Sequence, residues 1–293
     1  LFYFLQRYIF INILKRVKIL SRTQIELLKL KMLKLSDQYD NFYMLDSCNL
    51  NSPLNEGKYE LLVAVGAKRS YIIDSPLKSL DKLQEFMSKS AWYFGVISYE
   101  VKDDIENLES KNREHIKCPS IAFIEPEGIL TIGKDGLLNV AGNSALFGDF
   151  ELNHKIENEE LELTGDQIVN SGMTQSEYLS KVAAIHEHIL RGNVYELNLC
   201  YSRLLEDVSI NNPSLLFRDL VKLSPVPFAA YVKRDSQYLI SASPERFLKL
   251  SDKSIVSQPI KGTSSRSDEE QEDEKLKSDL FNSEKERAEN VMI

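Results

Sequence analysis

Ser243-Pro-Glu-Arg-Phe247, Pro259-Ile-Lys-Gly-Thr263 and Lys285-Glu-Arg-Ala-Glu-Asn290 follow one another near the end of the chain. In order they offer a carboxylate (Glu245), an amine beside a Gly-Thr turn (Lys261), and two carboxylates one helical turn apart (Glu286, Glu289). A carboxylic acid with a raised pKa protonates a poor leaving group. A neutral amine attacks carbon. Carboxylates at i and i+3 of a helix face the same way and suit a hard divalent cation. Gly262 has no β-carbon, so a ligand can approach the backbone there, and Thr263 and Ser264 can donate to a substrate carboxylate. Each residue also has an ordinary alternative: a surface turn glutamate, a snorkelling lysine, a solvated helix face.

Around this stretch the composition is that of a globular protein. The 293 residues are 43% hydrophobic, enough for one large core or two smaller ones. A net charge of -8 argues against a nucleic-acid binder. Cys48, Cys118 and Cys200 are widely spaced with no CxxC, which points to free thiols in a reducing cytosol rather than to disulfides or a zinc site. The apolar run Leu1–Leu14 is interrupted by Gln6 and Arg7 and carries its basic residues after it, unlike a signal peptide. It is too short for a membrane span. Met32 opens the part that reads as folded, so residues 1–31 are expected to be an upstream extension.

From Asp37 to Gly142 the pattern is mostly short strands, among them Asn41–Leu45 and Tyr59–Val65. Leu80, Leu83, Phe86 and Met87 place a helix in residues 77–90. Trp92–Tyr99 reads as a buried strand whose Gly95 marks a close backbone approach. Ile129–Ile132 and Leu137–Val140 form a hairpin through Gly133 and Gly136. An acidic linker is expected within residues 146–172. Thr174 and Glu177 form a capping box for a helix carrying Tyr178, Val182, Ile185 and Ile189. Strands are then predicted over Tyr195–Arg203, Phe228–Val232, Tyr238–Ser241, Phe247–Leu250 and Ser254–Ile260. His186 and His188 are two residues apart and cannot share a metal.

Tyr43-Met-Leu-Asp-Ser47, Phe94-Gly-Val-Ile-Ser-Tyr-Glu100, Ile189–Leu199 and Ser224-Pro-Val-Pro-Phe228 add to the three segments. Together, in this order and spacing, they resemble the chorismate-utilising enzymes: anthranilate synthase and aminodeoxychorismate synthase components I, and isochorismate and salicylate synthases. Asn193 and Glu196 depart from the family's usual Asp and Gln. The resemblance implies an α+β fold, a layered antiparallel β-sandwich flanked by helices, with its C-terminal part missing. It implies an N-terminal domain over 32–145 and a truncated chorismate-binding catalytic domain over 173–293. Glu245 is then the acid and Lys261 the nucleophile, with Gly262, Thr263 and Ser264 on the substrate. Glu286 and Glu289 hold Mg2+. Lysine at 261 points to aminodeoxychorismate synthase, where anthranilate synthases usually carry alanine. A glutamine amidotransferase subunit would supply ammonia in the cytoplasm, with no nucleic acid and no membrane span. Ser47, Glu56, Gly57, Lys58, Tyr59, Pro225, Val226 and Pro227 align with a tryptophan pocket. The alternatives are anthranilate synthase component I and an inactive tryptophan-binding or partner-docking fragment.

Overall fold

The computed structural model describes residues 15–50, 57–74, 79–106, 108, 115–148, 160–165, 169–251 and 254–292. Two compact units divide the chain: residues 1–109, 118–156 and 217–293 in the larger, 110–117 and 157–216 in the smaller. The first run of elements is β1 (Lys15–Ile19), α1 (Arg22–Leu35), β2 (Asn41–Asp46), β3 (Tyr59–Val65), β4 (Arg69–Ile73), α2 (Ser79–Phe86), β5 (Phe94–Ile97), α3 (Lys102–Ile105), β6 (Ile121–Glu125), β7 (Gly128–Gly133) and β8 (Leu137–Gly142). The smaller unit holds β9 (Leu163–Thr164), β10 (Val169–Ser171), α4 (Gln175–Leu190), β11 (Arg203–Leu205) and β12 (Ser209–Ile210). Then come α5 (Pro213–Leu223), β13 (Phe228–Arg234), β14 (Gln237–Ser243), β15 (Arg246–Ser251), β16 (Ser254–Gln258), α6 (Glu270–Asn282) and α7 (Glu284–Met292).

A seven-stranded antiparallel sheet in the order β1-β8-β7-β3-β2-β13-β14 organises the larger unit. Alternation along each strand decides what its two faces meet. Phe42 and Met44 of β2 with Leu61, Val63 and Val65 of β3 turn to one face, where Ile25, Leu28 and Met32 of α1 and Phe217 of α5 pack. Tyr43, Leu62 and Ala64 turn to the other, against Phe94 and Ile124 of the three-stranded sheet β4-β6-β5. A third cluster packs Leu83 and Met87 against Tyr93, Ile121 and Phe123. Gly95 is required where β5 crosses β6, because a β-carbon there would lie 2.3 Å from the Phe123 ring. The expected helix-flanked antiparallel layers are present, as are the 128–142 hairpin and the Thr174–Glu177 capping box.

Four expectations need correction. Residues 18–31, expected as an upstream extension of the folded part, belong to it: Leu20, Ile25 and Leu28 are core residues, and β1 pairs with β8. Residues 1–14 lie outside the described part. Residues 173–293 do not form a separate domain, because β13 pairs with β2 from Ala229↔Asp46 to Arg234↔Asn41 and so completes the sheet begun by the first half. Within the expected linker, Phe147 is fully buried and Leu163–Thr164 pairs with β12. The predicted strand Tyr195–Arg203 has ladder pairing only from Arg203 among the described residues, and Tyr195, Leu197 and Tyr201 are exposed. Apolar residues alone do not make a strand without a neighbouring edge.

Candidate functional site

Hairpin β15–β16 sets the first two motifs beside each other. Its ladder runs from Ser251↔Ser254 to Arg246↔Gln258, with an irregularity between Arg246 and Lys249. Glu245 precedes one strand and Pro259 follows the other, so antiparallel pairing alone brings Glu245 to the 259–263 segment. The Ile260 N–H closes the arrangement by donating to Glu245 Oε1 at 2.8 Å. Glu245 is exposed rather than buried, and Lys261 is half-buried. Gly262 takes φ +80°, in the left-handed region that favours glycine. Thr263 is exposed and Ser264 half-buried.

Two helices then return the chain to this turn. Arg266 donates from Nε and an Nη to the two oxygens of Asp273 at 2.7 Å each, and Ser267 N–H donates to Oδ1. This bidentate pair fastens the start of α6. At the next helix, Ser283 Oγ accepts from the Glu286 N–H at 3.4 Å, capping α7. The Ser283 N–H goes instead to the Leu280 carbonyl, so Glu286 does not reach back as in a capping box. Its carboxylate lies against Gly262: a β-carbon there would sit 2.7 Å from Glu286 Oε2.

Glu286 and Glu289 do share a face. Lys285 Nζ stands 3.4 Å from Oε1 of each. Hydrogen bonding to Glu289 and the charges of both carboxylates hold the Lys285 ammonium above its ordinary value. Among the described residues no third His, Cys, Asp or Glu joins them into a metal-ligating cluster. Mg2+ is commonly held by one or two carboxylates, with water and substrate oxygens completing its shell. A carboxylate pair that already brackets a positive charge fits such a partial donor set.

A second polar cluster lies where the tryptophan pocket was expected. Lys134 Nζ donates to Ser47 Oγ and to the Leu50 carbonyl at 2.7 Å each, and its N–H donates to the Lys58 carbonyl. Gly57 lies against the Lys134 side chain, and the Tyr59 ring packs edge-on to Trp92. Val226 is buried in the main core beside Cys48, whereas Pro225 is exposed and Pro227 half-buried. Glu56 lies outside the described residues. The centre of this region is a residue that the sequence reading passed over. Lys29 of α1, 5% exposed, reaches Asp46 Oδ1 at 2.9 Å and Glu60 Oε1 at 3.2 Å. Burial works to lower the Lys29 pKa, but Asp46, Glu26 and Glu60 outweigh it and hold the ammonium above its usual range. The signal was present: Lys29 is a charge set among Ile25, Leu28, Met32 and Leu33 on a helix's apolar stripe.

Residues 40–293 match the chorismate binding enzyme family, and the chain belongs to it. Aminodeoxychorismate synthase component 1 of Escherichia coli is 27% identical over 248 residues, covering 80% of this chain and 54% of that protein. Anthranilate synthase alpha subunit 1 of Arabidopsis thaliana is 33% identical over 129 residues, covering 44% of this chain and 21% of that one. The chain thus spans about half or less of the curated relatives it matches. Among solved structures, the menaquinone-specific isochorismate synthase of Escherichia coli superposes with a TM-score of 0.59 at 14% identity, over 95% of this chain and 61% of that one, a likeness of fold. Among the described residues no helix is long and apolar enough to cross a membrane.

Proposed function

We propose that this chain aminates chorismate as an aminodeoxychorismate synthase component I, toward 4-aminobenzoate and folate. The observation that carries the reading is Lys261, half-buried one residue beyond the Ile260 amide that Glu245 accepts. In the proposed reaction the Lys261 amine, as its neutral form, bonds to a ring carbon while Glu245 protonates the departing hydroxyl, which leaves as water. Ammonia from an amidotransferase partner then bonds to the ring as the C–N bond to Lys261 breaks, and that amine leaves with a proton. Gly262, Thr263 and Ser264 orient the substrate carboxylate from the turn. Glu286 and Glu289 would hold Mg2+, whose charge neutralises a substrate carboxylate when bound.

Incubation with chorismate and Mg2+ in the absence of ammonia tests this. Mass spectrometry is expected to show added mass on the peptide containing Lys261, because only another amine displaces the adduct. Lys261→Ala is expected to abolish the adduct and to shift residual product toward the 2-amino isomer. An unmodified Lys261 peptide, with Lys261→Ala still forming the 4-amino product at the normal rate, would undo the assignment. A 2-amino product from the unaltered protein would favour the anthranilate synthase reading instead.

A further inference from the structure

Glu286 and Glu289 of α7 differ in what they touch. Glu289 Oε1 faces the Lys285 ammonium, and so does Glu286 Oε1, each at 3.4 Å. Glu286 Oε2 meets the backbone at Gly262, the residue directly after Lys261. A β-carbon built on Gly262 lies 2.7 Å from that oxygen and 3.2 Å from Leu280 Cδ1, closer than side chains pack. Gly262 is therefore fixed by two separate demands, a φ of +80° and a space already filled by a carboxylate. Asparagine satisfies the first demand and not the second. The Ser283 cap holds the Glu286 backbone at the start of α7, and the end of the Glu286 side chain reaches from there to Gly262. One carboxylate thus spans two places, the cation position and the turn that carries Lys261.

We propose that the Glu286–Gly262 contact couples cation binding to the setting of the Lys261–Gly262–Thr263 turn, making Glu286 a positioning residue for Lys261 as well as a ligand. The proposal rests on the reading that Glu286 and Glu289 hold Mg2+. A cation drawing Glu286 Oε1 toward Glu289 fixes the rotation of the carboxylate, and with it the surface against which Gly262 packs. By linkage the turn must affect cation affinity by the same factor. Glu289 is proposed as a ligand alone.

The test needs Mg2+ alone, with no substrate. Hydrogen exchange of residues 259–265 is measured with and without Mg2+, and affinity is taken from calorimetric titration. In the unaltered protein, Mg2+ is expected to slow exchange across 262–264. Gly262→Ala and Gly262→Asn are both expected to weaken Mg2+ by about tenfold. Circular dichroism and thermal unfolding of Gly262→Asn, which tolerates the backbone angle, separate a lost fold from a lost coupling. Wild-type Mg2+ affinity in folded Gly262→Asn overturns the proposal, as does Mg2+ binding that leaves exchange at 259–265 unchanged. Absence of any Mg2+ binding overturns it together with the ligand assignment. Intact coupling in a protein that fails to aminate chorismate supports it while removing the proposed reaction.

Discussion

The cluster around Lys29 and the cluster around Gly262 both set a lysine among carboxylates, in opposite surroundings. Asp46 and Glu60 are 5% and 3% exposed, and Lys29 ties them to α1 beneath a sheet. Lys285, by contrast, is 76% exposed over Glu286 and Glu289. Desolvation raises the Asp46 pKa, while the carboxylates around Lys29 hold its ammonium above the usual range despite burial. Perturbed titration and burial would therefore direct attention to the Lys29 cluster, which serves the fold. The motif residues that resemble a family's catalytic groups are exposed or half-buried. Burial of charge here marks structure, and accessibility marks the candidate chemistry.

Removing Lys29 gives the largest expected effect. Lys29→Ala leaves buried Asp46 without its cation and Glu60 with Arg22 alone, and breaking a buried pair in this way costs about 3–5 kcal/mol. Chemical denaturation is expected to show that loss with little change in slope. A loss under about 1 kcal/mol would mean that Asp46 and Glu60 behave as surface groups, and the contrast between the clusters would collapse.

Alkaline titration comes next in size. Burial pushes Tyr43 and Tyr231 up to about 12 from an ordinary value of 10, and Lys29 is held above 10.5. All three folded-state pKa values are raised, so their stabilisation is full below the unfolded values and is lost as pH rises through the folded ones. Stability is expected to fall from about pH 10 to pH 12, by roughly 2 kcal/mol for each tyrosine. Tyr43→Phe should flatten part of that slope. An unchanged slope would place the Tyr43 hydroxyl in solvent.

These two regions were legible in the sequence to different degrees. Aromatic and β-branched runs in Asn41–Leu45 and Tyr59–Val65, bounded by Asp, Asn and Gly, announced strands, because such composition is a local property. That β13 would lie beside β2 was not local, since a pairing between residues 41–46 and 229–234 leaves no mark in either segment alone. Division at the acidic stretch followed from composition, while the sheet runs across that division. For the site, Ser243–Thr263 gave its residues through motif order, and the hairpin supplied what order cannot, the hydrogen bond from Ile260 to Glu245. Lys29 was missed because its helix was set aside as an extension. A lone charge on an apolar stripe should have argued that a buried counter-charge awaited it.

Glu289→Gln separates the clusters in the opposite sense from Lys29→Ala. Glu289 is half-exposed on α7, and its stability effect is expected to stay within about 0.5 kcal/mol. Mg2+ binding and any Mg2+-dependent turnover should nevertheless be lost. Unchanged turnover at limiting Mg2+ would return the pair to a solvated helix face. A large loss of stability would show that this cluster, too, serves the fold.

Lys285→Met carries the smallest expected effect and the finest discrimination. The Lys285 ammonium lies 3.4 Å from both carboxylates, at the position a cation would contest. With 76% of its side chain exposed, it can swing into solvent and keep its charge hydrated. It is therefore a weak competitor, and its removal should leave thermal unfolding unchanged while tightening Mg2+ by no more than about fivefold. Raising the salt concentration should shrink even that difference, since exposed charges are screened. Tightening by a hundredfold would mean that Lys285 is held as firmly as Lys29, and loss of Mg2+ binding would make it the residue that keeps the carboxylates together.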